Sequence, residues 1–399
     1  MAVGSASGLR RRNRDVVLRT IALDGPVSRS QIARQTGLTG AAISRITREL
    51  IEVGLVEEGA AIALKGQVGR RNICLELGDN GAFVLGIALT ANVRSVSIGN
   101  CRGEVIAARR VRGVDMENPE IAVQQLSEAG LELIANTDFD RSRLIGCGVS
   151  VAGVIDPESG DMDWSHHLGW EGRPLGREFA ERLGLPVRVE ARAIALLMAE
   201  LWGGAAAGLE NVILVSNGIW IGGAIMLDGN ILRGQNNMVG QIPHMRVGGS
   251  ENSCTCGRKG CLNAVASGTT VLEELEHIRL PEKKRTTEPG DRLQALAELR
   301  GSEFAAVEEV FRSAGQHMGH AVDSFIEMLD PELVLLAGAA SRHPGYLQGV
   351  RETLGRLRPG EDDWPVSVSN VTSDQSAIWL ALEAFVYSRD LDIELLKVA

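Results

Sequence analysis

The stretch HMRVGGSENSCTCGRKGC, residues 244–261, holds one histidine and three cysteines in eighteen positions. A disulfide between Cys254 and Cys256 would be strained and would leave Cys261 without a nearby partner. A redox pair more usually has the spacing Cys-x-x-Cys. One imidazole and three thiolates are what a closed tetrahedral zinc site needs, with no position left for a catalytic water. The pattern therefore predicts one structural Zn²⁺ per chain, on His244, Cys254, Cys256 and Cys261, with reduced thiols or a disulfide as the alternatives.

The bulk composition is typical of a globular protein with more than one domain. The chain has 399 residues, enough for two or three domains, and its 44% apolar and 23% charged residues are ordinary for a folded protein. No apolar run approaches the length of a membrane span, and no apolar segment follows the basic residues near the amino terminus. Neither a spanning helix nor a signal peptide is therefore expected. Cys74, Cys101 and Cys147 are scattered, which favours buried thiols in a reducing cytoplasm.

Charge is distributed unevenly along the chain. Residues 1–71 contain 12 Lys and Arg against 6 Asp and Glu, a net charge of +6, whereas the other 29 basic and 45 acidic residues give −16. A small basic part attached to a large acidic part indicates that only the basic part meets a polyanion such as DNA.

The amino-terminal residues are predicted to form a helix-turn-helix with a wing. After a first helix that ends at Gly25, Ser28 can cap a short helix that Gly37 ends, and Thr39 can cap the next one. Two helices separated by the four residues TGLT form a helix-turn-helix, whose second helix would enter the major groove. The following segment, LVEEGAAIALKGQVGRRNICLEL, predicts two strands around a basic tip, which is typical of a wing.

The predicted DNA contacts lie around these two helices and in the wing. Small side chains at the start of the second helix allow close approach to base edges, while arginines reach guanine or phosphate. The alternative is a small helical packing module with a solvated charged face. The candidate DNA-binding residues are Ser28, Gln31, Thr39, Gly40, Ala41, Ala42, Ser44, Arg45, Arg48, Lys65, Gln67, Arg70 and Arg71.

The remaining residues alternate predicted strands and helices in two similar halves, which indicates a two-lobed α/β protein with a ligand cleft between the lobes. Three motifs in the chain resemble the ROK family (repressors, open reading frames and sugar kinases). They are the zinc motif, which is His244 followed by CTCGRKGCL from Cys254, the segment GLPVRVEARAIALLMAE, and the RRNRDVVL run that opens the first helix. The resemblance covers nearly the whole chain.

The resemblance implies a winged helix-turn-helix followed by a two-lobed body with the actin-like, ribonuclease-H-like fold. The winged helix, hereafter the head, would occupy residues 1–80. One lobe of the body would occupy residues 81–190, completed by a carboxy-terminal helix in residues 374–399. The second lobe would occupy residues 191–373 and include the zinc-binding loop, residues 244–263.

The family's sugar kinases require residues that this chain lacks. Ala88 stands where the first phosphate loop has an aspartate that orients magnesium, and Trp220 stands in the second phosphate loop. Arg192 occupies the position of the catalytic base, where an arginine cannot accept a proton. The Gly-Gly pair on the adenosine side is reduced to Ala337 and Gly338. The resemblance therefore implies a protein that is not an enzyme and has no catalytic residues.

The family's sugar pocket has changed as well. An aspartate and two glutamates that accept hydrogen bonds from sugar hydroxyls in the family are here Arg192, Gln241 and Asn263. A guanidinium in a partly desolvated cleft favours an anion, so we expect a sugar acid, a sugar phosphate or an amide-bearing metabolite rather than a neutral hexose. The alternative is that Arg192 pairs with Glu190 or another local acid and leaves the pocket neutral or unused. The implied ligand-binding residues are Gly153, His166, Glu190, Arg192, Gln241, His244 and Asn263.

Together these expectations favour a transcriptional regulator of carbohydrate-related genes, of the repressor kind. It would bind double-stranded operator DNA at an inverted repeat as a homodimer or tetramer, and a sugar or sugar derivative in the cleft would shift its affinity. Two other functions stay open. One is a sugar kinase with an accessory DNA-binding head, and the other is a DNA-binding dimer that responds to no ligand.

Overall fold

The computed structural model describes residues 6–62, 72–247, 250–286, 288–361 and 363–397. In this part of the chain no helix is long and apolar enough to cross a membrane. Buried apolar side chains form one cluster beneath the amino-terminal helices and others on the faces of the two large sheets described below.

The head has the predicted helix-turn-helix and hairpin. Its elements are α1 (Ala6–Asp24), β1 (Val27–Ser28), α2 (Arg29–Thr36), α3 (Gly40–Glu52), β2 (Val56–Ile62) and β3 (Asn72–Leu77). The Ser28 hydroxyl accepts a hydrogen bond from the Gln31 backbone N–H and begins α2, and Thr39 caps α3 in the same way. Gly37 ends α2 with a φ of 69°, in the left-handed region that favours glycine. These short-range contacts explain why the helix boundaries could be predicted from the sequence.

The first lobe of the body is built on a five-stranded sheet with the strand order β11-β7-β4-β5-β6. Its elements are β4 (Phe83–Leu89), β5 (Arg94–Asn100), β6 (Val105–Arg110), α4 (Pro119–Asn136), β7 (Leu144–Val151), β8 (Val154–Ile155), β9 (Met162–Ser165), β10 (Trp170–Arg173), α5 (Leu175–Leu183) and β11 (Val187–Ala191). The strands β8, β9 and β10 form a separate small sheet. The central strand β4 is buried along its whole length, as its continuous apolar run predicts for a strand covered on both faces.

The second lobe repeats this arrangement with the strand order β14-β13-β12-β15-β16. Its elements are α6 (Arg192–Gly203), β12 (Val212–Asn217), β13 (Ile221–Leu227), β14 (Asn230–Ile231), α7 (Asn263–Ala266), α8 (Gly268–Glu274), α9 (Pro289–Ala297), α10 (Ala305–Leu329), β15 (Leu333–Ala337), α11 (Pro344–Leu357) and β16 (Val366–Val368). The last helix, α12 (Ser373–Phe385), returns to the first lobe. In each lobe an antiparallel meander of three strands is followed by two parallel strands on the other side of the first strand. Short 3-10 turns occupy Arg141–Arg143, Ile242–His244, Glu282–Lys284, Ser302–Phe304, Ala340–Arg342 and Ile393–Leu396.

The last helix is shorter than the helix over residues 374–399 that the sequence analysis expected. The helix α12 ends at Phe385, and the chain continues as turns with a short 3-10 turn at Ile393–Leu396. Ser388 accepts a hydrogen bond from the backbone N–H of Asp390, and Asp392 accepts one from that of Glu394. Side chains of this kind compete with helical hydrogen bonds and favour turns.

The helix α12 packs on the first-lobe sheet and also contacts the head. Gly148 on β7 permits the close approach, because a Cβ atom there would lie 2.3 Å from the backbone oxygen of Ala377. On its other side α12 shares one apolar cluster with α1, which includes Leu18, Ile378 and Leu382. The head is therefore joined to the body by a common core rather than by a linker alone.

Candidate functional site

A cavity of about 450 Å³ lies between the two lobes. Its wall includes Ser95 from β5 and Ser216 from β12, so both large sheets contribute to it. The volume is within the range of small-molecule sites. Of the predicted ligand-binding residues, those that line the cavity are Gly153, His166, Arg192, Gln241 and His244.

Glu190 and Asn263 do not line the cavity, which corrects the expectation for these two residues. Glu190 is 1% exposed and accepts hydrogen bonds of 2.6 and 3.2 Å from the guanidinium of Arg233. The Asn263 side-chain oxygen accepts a hydrogen bond of 3.1 Å from the backbone N–H of Ile221. Both side chains therefore hydrogen-bond to other parts of the protein, and each partner lies far away in the sequence.

Arg192 therefore does not pair with Glu190. Its guanidinium donates a hydrogen bond to the hydroxyl of Ser216, and its Nε–H is buried without a hydrogen-bond partner in the described residues. Burial, and secondly the charge of Arg342, lower the pKa of Arg192 to about 10. The side chain consequently keeps its positive charge at neutral pH.

The aromatic side of the cavity could not be predicted from sequence spacing. The rings of His167 and Trp220 stack with their centroids 4.6 Å apart, and Trp164 lies 4.3 Å from His166. Burial, followed by the proximity of His166 and His244, lowers the pKa of His167 to about 4, so this ring is neutral at pH 7. The indole of Trp220 thus occupies the turn between β12 and β13, where the sequence analysis expected a phosphate loop in the kinases.

Asp374 and Arg342 also line the cavity, and sequence reasoning missed both. Asp374 accepts a hydrogen bond of 2.5 Å from the hydroxyl of Ser95. Arg342 donates to the backbone oxygen of Val371 at 3.2 Å. Neither residue belongs to a motif, and an isolated charge at the end of a helix or short turn carries no sequence signal that distinguishes a cavity wall from a solvated surface.

The four predicted metal ligands lie together. Their donor atoms are all within 4.8 Å of one another. The Cys256 and Cys261 sulfur atoms are 3.6 Å apart, and the Cys254 sulfur is 3.7 Å from Nδ1 of His244. In a tetrahedral zinc site, with Zn–S about 2.3 Å and Zn–N about 2.0–2.1 Å, ligand atoms are about 3.6–3.8 Å apart. These residues therefore form a cluster that could hold a metal ion, and the two shortest separations given above equal those of a tetrahedral site.

The metal-binding loop is connected to the cavity through His244, which belongs to both. Backbone hydrogen bonds hold the loop as a compact turn, with the Cys254 N–H donating to Arg258 and the Gly257 N–H donating to Cys254. The guanidinium of Arg258 also lies 3.5 Å from the Cys256 sulfur, where it offsets thiolate charge. A metal ion here would stabilise one wall of the cavity.

The outer face of α3 is exposed, whereas Ile43, Ile46 and Leu50 on its inner face are buried. Among the predicted DNA contacts, Ser28 is buried and Gln31 half-buried, and both take part in the capping box of α2. Ala42 is half-buried. Lys65, Gln67, Arg70 and Arg71 lie outside the described residues. The exposed candidates are Thr39, Gly40, Ala41, Ser44, Arg45 and Arg48.

Comparisons with known proteins agree with this arrangement. A family model described as the ROK family matches residues 84–378, and one described as the IclR helix-turn-helix domain matches residues 17–59. The chain is 27% identical over 349 residues to a putative xylose repressor of Caldicellulosiruptor sp. (strain Rt8B.4), which covers 85% of this chain and 86% of that protein. It is 28% identical over 342 residues to the DNA-binding transcriptional dual regulator NagC of Escherichia coli (strain K12), covering 84% of this chain and 82% of NagC.

A solved structure is similar over nearly the whole chain. It is a ROK family transcriptional regulator described as a homologue of the E. coli MLC protein, with a TM-score of 0.72 and 22% sequence identity. The similarity covers 98% of this chain and 100% of the other. At this identity the likeness establishes the fold, which combines the winged helix-turn-helix with a two-lobed body.

Proposed function

Because the chain belongs to the ROK family, we propose that it is a transcriptional regulator of the repressor kind, controlled by a small carbohydrate-related metabolite in the cavity between the lobes. The observation that carries the proposal is the course of α12. Its first turn lines the cavity through Ser373 and Asp374, and its apolar face shares a core with α1 of the head. A ligand that moves the start of this helix can therefore change the position of the DNA-binding helices.

The contacts at the far end of α12 support this route. The guanidinium of Arg19 on α1 donates hydrogen bonds of 2.8 and 3.1 Å to Glu383, and it lies 5.1 Å from the ring centre of Trp202. The Tyr387 ring stacks on Trp202 at 4.3 Å. The bidentate ion pair and the ring contacts together hold the head in one orientation relative to the body.

The DNA-binding part of the proposal rests on the head. The exposed face of α3 combines small residues at the helix start with Arg45 and Arg48, as a recognition helix requires. A single winged helix covers too little surface for selective affinity, so we propose that two chains bind an inverted repeat in duplex DNA as a homodimer or as part of a tetramer. We therefore propose that the protein acts in the cytoplasm, in contact with its operator DNA.

The proposal includes one structural Zn²⁺ per chain on His244, Cys254, Cys256 and Cys261. The donor set and the sulfur–sulfur distance of 3.6 Å support it. We propose no kinase activity, because the motif resemblance places Arg192 at the position of the family's catalytic base, and an arginine cannot take a proton from a sugar hydroxyl. Sugar-stimulated ATP hydrolysis by the purified protein would contradict this part of the proposal.

Replacing Arg45 by alanine is expected to weaken operator binding by about 1–3 kcal/mol if the side chain reads a base, with relaxed specificity at one position per half-site. The measurement is a selection of bound duplexes from random DNA by the full-length protein, followed by titration of the selected sequence. Arg177→Ala is the matched control, because it removes another exposed positive charge, from α5 in the body. If both variants bind DNA as the unsubstituted protein does, the assignment of the recognition helix is refuted.

A further inference from the structure

We propose that the effector carries an anionic group, a carboxylate or a phosphate, and that this group binds to Arg192 and Arg342 at the amino-terminal end of α6. The inference rests on the proposed function in taking the cavity as the effector site. It adds the chemical class of the effector and the residues that select it. The sequence analysis predicted an anionic ligand, and the structure indicates where in the cavity its anionic group would bind.

The first observation is an uncompensated charge in the cavity wall. Arg192 donates to one hydroxyl, that of Ser216, and its Nε–H is buried without an acceptor in the part of the chain that the structure describes. No described carboxylate forms an ion pair with it. Arg192 is half-buried and lines the cavity, so its guanidinium has lost part of its hydration without gaining an anion. A ligand that brings a negative charge to this part of the wall therefore gains affinity.

The acidic side chains near the cavity are already engaged. Glu190 pairs with Arg233, and Asp291 pairs with Arg110. Asp374, the one acid among the described lining residues, accepts a hydrogen bond from Ser95. Among the described residues no carboxylate forms an ion pair with Arg192, so the alternative in which an internal acid pairs directly with this arginine does not hold. Asp374 has a neutral hydroxyl as its partner and keeps a negative charge elsewhere in the wall.

A second cation and a helix end face the same part of the cavity. Arg342 lines the cavity, is exposed, and bonds only backbone oxygens of residues 370 and 371 among the described residues. The cap residue of α6 is Ala191, which has no side chain able to accept from the first N–H groups of the helix. Free N–H groups and the helix dipole favour an anion there. Arg192 is the first residue of α6, and Arg342 is close enough for its charge to lower the pKa of Arg192, so two guanidinium groups and an uncapped helix end contribute to this part of the wall.

The rest of the wall suits a sugar ring. Trp164 and Trp220 provide aromatic faces, and Ile219 adds an apolar surface. Gln241 and His166 provide groups that can hydrogen-bond to hydroxyls. The combination of a cationic end with an aromatic and polar remainder fits a sugar acid or a sugar phosphate. A neutral hexose would leave the cationic end without a negative charge, although its hydroxyl oxygens could accept hydrogen bonds.

The test is calorimetry of the full-length protein with glucose, glucuronate, glucose 6-phosphate and inorganic phosphate. We expect at least one anionic probe to bind ten-fold or more tightly than glucose, and the two anionic sugars distinguish a carboxylate from a phosphate. Arg192→Gln should remove this preference, and Arg192→Lys should keep part of it, because lysine retains the charge but loses the bidentate geometry. Arg342→Gln should also weaken the preference for anionic probes. Because Arg342 is exposed, this variant tests the site without disturbing the core. Arg177→Gln is the control and should leave all affinities unchanged.

Two results would overturn the inference. One is that glucose binds as tightly as the anionic sugars and equally well in Arg192→Gln. The other is that none of the three anionic probes binds the unsubstituted protein at millimolar concentration. Operator titration of the same preparations separates this outcome from failure of the proposed function, since a protein that binds its operator selectively but prefers no anion refutes only the effector class.

Discussion

Replacement of Cys261 by serine is expected to abolish zinc binding and to lower the free energy of unfolding by several kcal/mol. Cys261 is fully buried, and its sulfur lies 3.6 Å from that of Cys256. A serine hydroxyl is a poor zinc ligand, and a site with three good ligands binds the metal far more weakly. Because binding energy at a structural site is folding energy, the loop of residues 244–263 should lose its fixed shape. Thermal unfolding and metal analysis of the two proteins measure the effect.

The control for this prediction is Cys147→Ala, which alters another fully buried cysteine outside the cluster. It should cost some stability through lost packing but leave one zinc per chain. A chelator should lower the melting temperature of the unsubstituted protein and of Cys147→Ala, but not that of Cys261→Ser. Protein purified without chelators that contains no zinc would show that the cluster has another role.

Replacement of Tyr387 by alanine is expected to lower the free energy of unfolding by about 3–5 kcal/mol, the usual cost of removing a buried aromatic ring. Tyr387 is fully buried where the head meets the body. Its ring stacks on Trp202, and its hydroxyl donates to the backbone oxygen of Cys101. Because the ring stacks on Trp202, over which the guanidinium of Arg19 on α1 lies, we further expect the head to lose its fixed orientation and the ligand to lose influence over DNA binding.

Tyr387→Phe is the matched control. It removes only the hydroxyl and leaves the ring stack intact, so its expected cost is about 1 kcal/mol. Denaturant unfolding measures both variants, and operator titration with and without ligand measures the coupling. Equal stability of the two variants would mean that the aromatic cluster does not hold the head, and the route through α12 would have to be abandoned.

The head could be predicted closely because its signals are local. Ser28 and Thr39 lie within three residues of the backbone N–H groups that they cap. The helix α4 has local signals of the same kind, since Asn118 caps it and Pro119 opens it. The metal cluster was predictable for the same reason, as three of its four ligands lie within eight residues of one another.

The cavity wall was less predictable because its contacts join distant parts of the chain. Glu190 was expected to face the ligand, but Arg233 lies 43 residues away and binds it. Asn263 is engaged by a backbone group 42 residues away. A resemblance to a family indicates which positions face a pocket in its kinases, and it cannot indicate which side chains have found new partners in this chain.

The contact between head and body was missed for a related reason. Arg19 and Glu383 are 364 residues apart, and neither lies in a motif. The amino-terminal residues suggested a DNA-binding unit and the carboxy-terminal residues suggested a helix of the first lobe. Only the folded chain shows that these two segments share one core, which is the feature that makes ligand control of DNA binding physically plausible.

The most direct test of the central claim is an operator titration of the full-length protein in the presence and absence of sugars, uronates and sugar phosphates. The account predicts that at least one of them changes the dissociation constant for the selected duplex by about 5–150-fold, the usual range of coupling between two sites. It also predicts that saturating operator DNA changes the affinity for that ligand by the same factor. An operator affinity that no member of the panel alters, although one of them binds the protein, would contradict the account and identify the chain as a DNA-binding protein without ligand control.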